Sequence, residues 1–305
     1  MASARTEVYE PTAWEDVPCL FCGARERRLH ERFGYEFRFT WVTCLRCGLI
    51  YQSPRPRYDE GFVQTAYEGD HRVADPGVFP AEDVRKAKLQ LGPIVEEILR
   101  YDTRRTALLE VGACGGLFIS VAKPYWKEVV GVEISRVLAR YIEHHFGVKV
   151  LTQQFETIPA DRRYSCIHMS HVIEHIPNPG EWLEKAHELL EDQGILVVAV
   201  PHIHSAANRF KLLLKRLKLR KGDWKRASKT PDHLFEPPIP VLQRFLEAHG
   251  FEVLSTYTYS RKDETSRTPL NRLLRRRMPL GSNVRIIARR KDRKPTGTFP
   301  GTSGL

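Results

Sequence analysis

The stretch Leu108-Leu109-Glu110-Val111-Gly112-Ala113-Cys114-Gly115-Gly116 decides how this chain folds. A short apolar run reaches a carboxylate and enters a glycine-rich turn, and Leu117, Phe118 and Ile119 then open a helix. Glycines in such a turn let the backbone approach a ligand closely, and the first N–H groups of the helix have no partner inside it. Seventeen residues past Gly116, a second apolar run, Val129-Val130-Gly131-Val132, ends in Glu133. A carboxylate at the tip of a second strand suits a ribose diol. Together the two stretches read as a nucleotide-cofactor site at the carboxyl edge of a parallel sheet.

The rest of the chain alternates in the same way. Apolar runs predict strands at 106–111, 128–133, 147–151, 164–169, 194–200, 250–258 and 283–288. Helical patterns fall at 81–101, 135–146, 179–192 and 238–249. Alternating strands and helices imply a mostly parallel sheet with helices on its faces.

The turn departs from the dinucleotide pattern, which wants glycine at its first, third and sixth positions. Gly112 fits, but Cys114 and Leu117 occupy the other two. Glu110 to Gly116, E-V-G-A-C-G-G, instead resembles motif I of class I S-adenosylmethionine (SAM)-dependent methyltransferases. Phe155-Glu156 resembles the adenine-contacting segment of that family. Tyr164 to Ile176, Y-S-C-I-H-M-S-H-V-I-E-H-I, resembles its strand-four signature, and Gly194 to Pro201 resembles strand five. Asp232-His233-Leu234-Phe235, followed by Leu242 to Val253, resembles its closing motif. The resemblance spans about residues 60 to 291 and implies a Rossmann-like, seven-stranded α/β fold with one antiparallel strand. It implies SAM as cofactor, held by Glu110, Gly112, Ala113, Cys114, Gly116, Glu133, Ile134, Phe155, Glu156 and Ser170, while Tyr67, ahead of the first helix, reads either as a residue that closes over the methionine moiety or as a packing tyrosine.

Ahead of this domain stand two C-x-x-C-G knuckles, Cys19-Leu20-Phe21-Cys22-Gly23 and Cys44-Leu45-Arg46-Cys47-Gly48. Thiolates at that spacing in tight turns reach one metal, and two such pairs make a four-cysteine tetrahedral zinc site. Tyr35, Phe37, Phe39 and Trp41 alternate with polar residues between the knuckles, as a half-buried ribbon strand would. A module this small has little core, so metal supplies much of its folding energy. Disulfides or a redox pair are the other readings of the same spacing. The expected organisation is a zinc ribbon and linker over 1–58, the methyltransferase domain over 59–294 with basic insertions at 205–230 and 261–282, and a disordered tail over 295–305. Zinc modules ahead of SAM domains resemble two arrangements, small-molecule and sugar methyltransferases and ribosomal-RNA guanine methyltransferases.

Four residues are candidates for the chemistry. His171, Glu174 and His175 follow the fourth strand of the pattern, and His233 precedes the helix after the fifth. In a parallel sheet all four lie on the ligand-facing rim. Methyl transfer draws most of its rate from alignment, with a general base added where the nucleophile must lose a proton. A histidine near the place of His233 is regarded as the base in the resembling sugar C-methyltransferases. Glu174-His175 reads as a buried structural pair or, from the resembling ubiquinone-pathway O-methyltransferases, as metal ligands.

The net charge is +11 over 305 residues and is unevenly placed. Residues 205–230 hold ten Lys/Arg and one acid, and residues 261–294 hold thirteen and three, whereas residues 1–60 are neutral. In Asn208–Arg220, Phe210, Leu213, Leu214 and Leu217 form one apolar stripe among the charges, and Leu270–Leu280 is a second basic, leucine-rich stretch. Such segments beside a substrate entrance fit a lid, an anionic membrane surface or lipid-linked glycan, a nucleic acid, or a protein partner. The residues themselves leave those partners open, together with the oligomeric state. No 18-residue apolar run and no basic-then-apolar leader is present, so a cytoplasmic protein, peripheral at a membrane if the basic segments bind one, is expected. The expected activity is methyl transfer to a small-molecule or glycan acceptor. An RNA methyltransferase and a catalytically silent SAM-fold binding protein are the alternatives.

Overall fold

The computed structural model describes residues 13–33, 39–57, 81–205, 233–259 and 281–292. Tyr67, Asp232, both leucine-bearing basic stretches (208–220 and 270–280) and the tail at 295–305 lie outside the described residues.

The N-terminal part contributes five short strands: β1 (Trp14–Glu15), β2 (Arg27–Phe33), β3 (Phe39–Cys44), β4 (Ile50–Gln52) and β5 (Arg55–Pro56). After helix α1 (Ala81–Leu99) comes the alternating part: β6 (Ala107–Val111), α2 (Leu117–Ala122), β7 (Glu128–Val132), α3 (Arg136–Phe146) and β8 (Lys149–Leu151). Next come β9 (Tyr164–Ser170), α4 (Pro179–Leu189) and β10 (Leu190–Pro201). The chain then forms β11 (Phe235–Glu236), α5 (Ile239–Ala248), β12 (Phe251–Tyr259) and β13 (Asn283–Arg290).

Seven strands make the main sheet in the order β12-β13-β10-β9-β6-β7-β8. β8, β7, β6, β9 and β10 pair in parallel, and β13 runs antiparallel to both β10 and β12. This is the Rossmann-like class I methyltransferase fold. β6 is buried along its whole length because helices cover both faces. Leu109 and Val111 join the core under α4, α5 and the N-terminal module, whereas Leu108 packs beneath α1, α2 and α3. Leu108 and Leu109 are both fully buried, each contributing roughly 1.5–3 kcal/mol relative to exposure.

Local sequence sets the helix ends. Ser135 caps α3 by accepting from the Leu138 N–H at 3.4 Å, and Gly147 ends it in the left-handed conformation. α4 stops at Leu189, not at the expected 192. Leu190 turns extended and pairs with Tyr164, and a bulge separates it from the main ladder at Ile195. The helical pattern ends early because Leu190 is buried by pairing with Tyr164, while Glu191 and Asp192 carry no apolar period to hold a further turn. Among the described residues, no helix is long and apolar enough to cross a membrane.

β2, β3 and β4 form the ribbon sheet, and its fourth strand is β11, which comes from the other end of the sequence. Phe235 pairs with Tyr51 and Glu236 with Ile50. Phe21, inside the first knuckle, stacks flat on Phe245 of α5 at 3.6 Å and edge-on to Phe235 at 5.2 Å. The ribbon therefore shares one core with the larger domain.

Candidate active site

The turn after β6 is shaped by two left-handed glycines. Gly112 has φ +71°, and a Cβ there would sit 2.5 Å from Val172 Cγ2. Gly116 has φ +74°, and a Cβ there would come within 2.9 Å of two ring atoms of Phe146. Both positions thus need glycine for conformation and for space. Cys114 also has positive φ, at 49°, and is exposed. The amides of Gly112 and Ala113 both donate to the carbonyl of Val132, which ties the turn to the end of β7.

Glu133 follows directly. Its Oε2 accepts from the Cys114 N–H at 2.8 Å and its Oε1 from the Ser135 N–H at 2.9 Å. Burial pushes its pKa above the usual carboxylate range, and the backbone N–H groups at Ser135, Cys114 and Ile134 oppose that. A carboxylate oxygen holding one N–H keeps a lone pair for a diol. Ile134 beside it is 45% exposed, an apolar surface suited to one face of a purine. Ser170, half-buried at the end of β9, lies on the same carboxyl edge.

Two residues expected at the cofactor have buried side chains with protein partners. Glu110 is buried, and its Oε2 meets His168 Nδ1 at 2.6 Å on the face beneath α2, where His168 stacks on Phe118. Burial raises the pKa of Glu110 against the pull of His168 and Arg285. Phe155 is 1% exposed and packs toward Trp182 at 4.9 Å, which leaves exposed Glu156 as the open half of that pair.

Beyond β9 the histidines converge on one carboxylate. Glu174 is fully buried; its Oε1 meets His171 Nδ1 at 3.2 Å, and its Oε2 has no hydrogen-bond partner among the described residues. Burial would raise its pKa, but the hydrogen bond from His171 and the fields of His175, His171 and His233 outweigh this and lower it. His175 and His233 lie ring-to-ring at 4.9 Å, edge to face. His233 Nδ1 meets Glu236 Oε1 at 3.1 Å. Glu174, His175 and His233 each offer a ligand atom within 4.8 Å of the others, so this trio also has the composition of a divalent-metal site. His202 is buried and meets the Gly281 carbonyl through Nδ1 at 3.0 Å, and His204 is exposed.

The ribbon reaches this cluster through β11. The Gln52 N–H donates to the Leu234 carbonyl at 2.9 Å, the Gln52 side-chain amide donates to the His233 carbonyl, and the Leu234 N–H donates to the Glu174 carbonyl at 2.7 Å. Spacing analysis within the ribbon does not reach Gln52, because its partner lies 181 residues away.

In the ribbon, Cys19, Cys22, Cys44 and Cys47 bring their sulfurs within 4.8 Å of one another. Cys19 and Cys47 Sγ lie 3.4 Å apart, and Cys22 and Cys44 Sγ lie 3.6 Å apart, with no disulfide among them. A tetrahedral zinc with Zn–S near 2.3 Å wants sulfurs about 3.8 Å apart. The Gly23 and Gly48 amides donate back to the carbonyls of Cys19 and Cys44, closing each knuckle. Hydrogen bonding from Cys19 and Cys47 holds the Cys44 thiol far below its ordinary pKa, while the Cys19 thiol is pushed far up by sharing the same protons with Cys44. Four thiols this close favour a cation that removes those protons.

A family model described as a methyltransferase domain matches residues 84–256, more than half of the chain, from within α1 into β12. The chain belongs to the methyltransferase-domain family. This methyltransferase is an enzyme that uses SAM. Its fold is similar to that of a SAM-dependent methyltransferase from Clostridium acetobutylicum (9% identity, covering 76% of this chain and 97% of that one, TM-score 0.48). It is also similar to magnesium protoporphyrin IX methyltransferase from Synechocystis with bound S-adenosylhomocysteine (15% identity, 76% and 100% covered, TM-score 0.49). A SAM-dependent methyltransferase from Archaeoglobus fulgidus is a third neighbour (17% identity, 73% and 100% covered, TM-score 0.48). No curated protein sequence matches the methyltransferase.

Proposed function

We propose that this methyltransferase transfers the SAM methyl group to a small-molecule or glycan acceptor that carries negative charge, with zinc held in its ribbon. The observation that supports the cofactor half of this reading is Glu133, fixed by two backbone N–H groups beside the left-handed turn at Gly112 and Gly116. SAM bound there brings an already activated sulfonium, so the protein's task is to align the acceptor and to remove a proton where one must leave. The Glu133 carboxylate would receive the ribose hydroxyls, and exposed Ile134 and Glu156 would hold the adenine. Glu133→Ala is expected to weaken SAM binding tenfold or more, since a charge-assisted hydrogen bond is worth about 1.5–3 kcal/mol. Calorimetry showing unchanged affinity would contradict the assignment.

The histidine cluster supplies the base. His171 and His233 each have one ring nitrogen on a carboxylate, Glu174 and Glu236, which orients the ring. Cys19, Cys22, Cys44 and Cys47 hold the zinc in a closed, structural site.

The acceptor's charge is inferred from the 17 Lys/Arg against three acids in the insertions 205–230 and 261–282 together. In the sequence these insertions follow β10 and β12, whose carboxyl ends share the cofactor's edge. A lipid-linked glycan is the form of acceptor that also uses their leucines. Purified protein is expected to bind vesicles containing anionic lipid. Charge attraction is screened over about 8–10 Å at physiological salt while leucine insertion is not, so binding should weaken with added salt without vanishing. Binding to RNA alone, with a steep salt slope, would replace the glycan by a nucleic acid.

A further inference from the structure

Tyr259 is the last residue of β12, at the same sheet edge as His171, and is 7% exposed. Its hydroxyl lies 3.4 Å from His171 Nε2. The other ring nitrogen, Nδ1, is 3.2 Å from the buried carboxylate of Glu174. A carboxylate only accepts, so Nδ1 carries the proton, the lone pair is on Nε2, and the phenol donates to it. Neither ring nitrogen of His171 is then left over for an acceptor.

The surroundings hold this arrangement in place. His171 sits at φ +58°, a conformation unusual for a residue with a Cβ, and its N–H donates to the Ala199 carbonyl of β10 at 2.8 Å. Three elements thus anchor one strained residue: β10 by its backbone, the turn at Glu174 by Nδ1, and β12 by Nε2. The Arg285 guanidinium, itself 3% exposed, lies 4.3 Å from the Tyr259 ring centroid and donates to the Tyr257 hydroxyl at 3.1 Å. A buried cation over the ring face holds the Tyr259 ring in place.

We propose that Tyr259 is a catalytic residue, the relay through which the acceptor's proton reaches His171; the proposal rests on reading His171 as the base. The acceptor X–H gives its proton to the Tyr259 oxygen as Tyr259 passes its own to His171 Nε2. The X lone pair attacks the sulfonium methyl, and the S–CH3 electron pair stays on sulfur, leaving S-adenosylhomocysteine. The imidazolium faces the Glu174 carboxylate until it releases its proton to water. The hydrogen bond at 3.4 Å is long, as catalytic contacts commonly are before the reacting complex forms.

Tyr259→Phe tests this, since the ring stays over Arg285 and only the hydroxyl goes. Histidine-selective nitrogen-15 NMR of the full-length protein with SAM bound reads each ring nitrogen directly. In the variant, the His171 Nε2 signal should move toward that of a free imine nitrogen, with His233 and SAM affinity unchanged. On any acceptor that the unaltered protein methylates, turnover should fall on the order of a hundredfold. An unshifted Nε2 signal, or undiminished turnover, would overturn the relay while leaving His171 as a base acting directly. A His171 ring already doubly protonated at neutral pH in the unaltered protein would instead overturn the base assignment on which the relay rests.

Discussion

Stripping the metal from the ribbon, or replacing Cys44 by Ser, is expected to abolish methyl transfer while leaving SAM binding within a fewfold of its original strength. The ribbon's strands are short, and Phe21 of its first knuckle is spent on the contact with α5 and β11. Metal binding in such modules contributes apparent free energies of about 10–16 kcal/mol, more than a small core supplies. Without it, β4 leaves β11, and Gln52 no longer holds the backbone at His233 and Leu234. Leu234 in turn anchors the carbonyl of Glu174, so the loss reaches the carboxylate on which the histidines converge. The cofactor turn at Gly112 is tied to Val132 instead and has no bond to the ribbon among its described contacts. Metal analysis should find one zinc per chain before treatment. Hydrogen exchange should then show residues 233–236 losing protection together with the ribbon. Less than about a tenth of an equivalent of zinc after purification without chelators would refute the metal site. A metal-free protein that keeps β11 protected would refute the coupling.

The alternation of strands and helices was legible because each central strand is a short apolar run bounded by turn residues, and β6 to β9 were placed to within two residues. Glu133 was legible for the same reason: strand, turn and carboxylate are local. What the sequence hid is long-range. Glu110 looked like a cofactor ligand because it ends an apolar strand, yet its partner His168 is 58 residues away on the neighbouring strand. Phe155 looked like an adenine contact, but its apolar ring is worth more in the core beside Trp182 than at an open edge. β11 has two residues and no periodicity of its own, so only the ribbon edge that it completes makes it a strand. Tyr259 carried the faint signal of alternating Tyr257 and Tyr259 at the end of a strand, which reads as ordinary half-buried β-structure. The four knuckle cysteines were the clearest local motif, and their sulfurs do converge, but spacing carries nothing about what the ribbon packs against.

His171→Ala is expected to lower turnover on the order of a hundredfold with SAM affinity unchanged, and His233→Ala much less. Both histidines face a carboxylate, so sequence position alone makes them equal candidates. Their surroundings separate them. Burial works against it, but the hydrogen bond from His171 and the neighbouring histidines lower the pKa of fully buried Glu174, whose Oε1 lies 3.2 Å from His171 Nδ1 with no water to screen it. Glu236 is partly exposed, so water screens what it offers His233. The His233 ring also stands edge to face against His175, which occupies one of its sides. Removing a general base commonly costs 10²–10⁴-fold, whereas removing a ring that mainly packs beside Glu174 costs stability more than rate. The two variants are compared by single-turnover transfer from labelled SAM alongside calorimetric SAM affinity. Equal, large losses in turnover would make the pair act as one unit around Glu174. A large loss only in His233→Ala would move the base to the strand that the ribbon holds. Full activity in both would leave alignment of the acceptor against the sulfonium as the whole of the chemistry, and the buried Glu174 would then serve the fold or a bound metal alone.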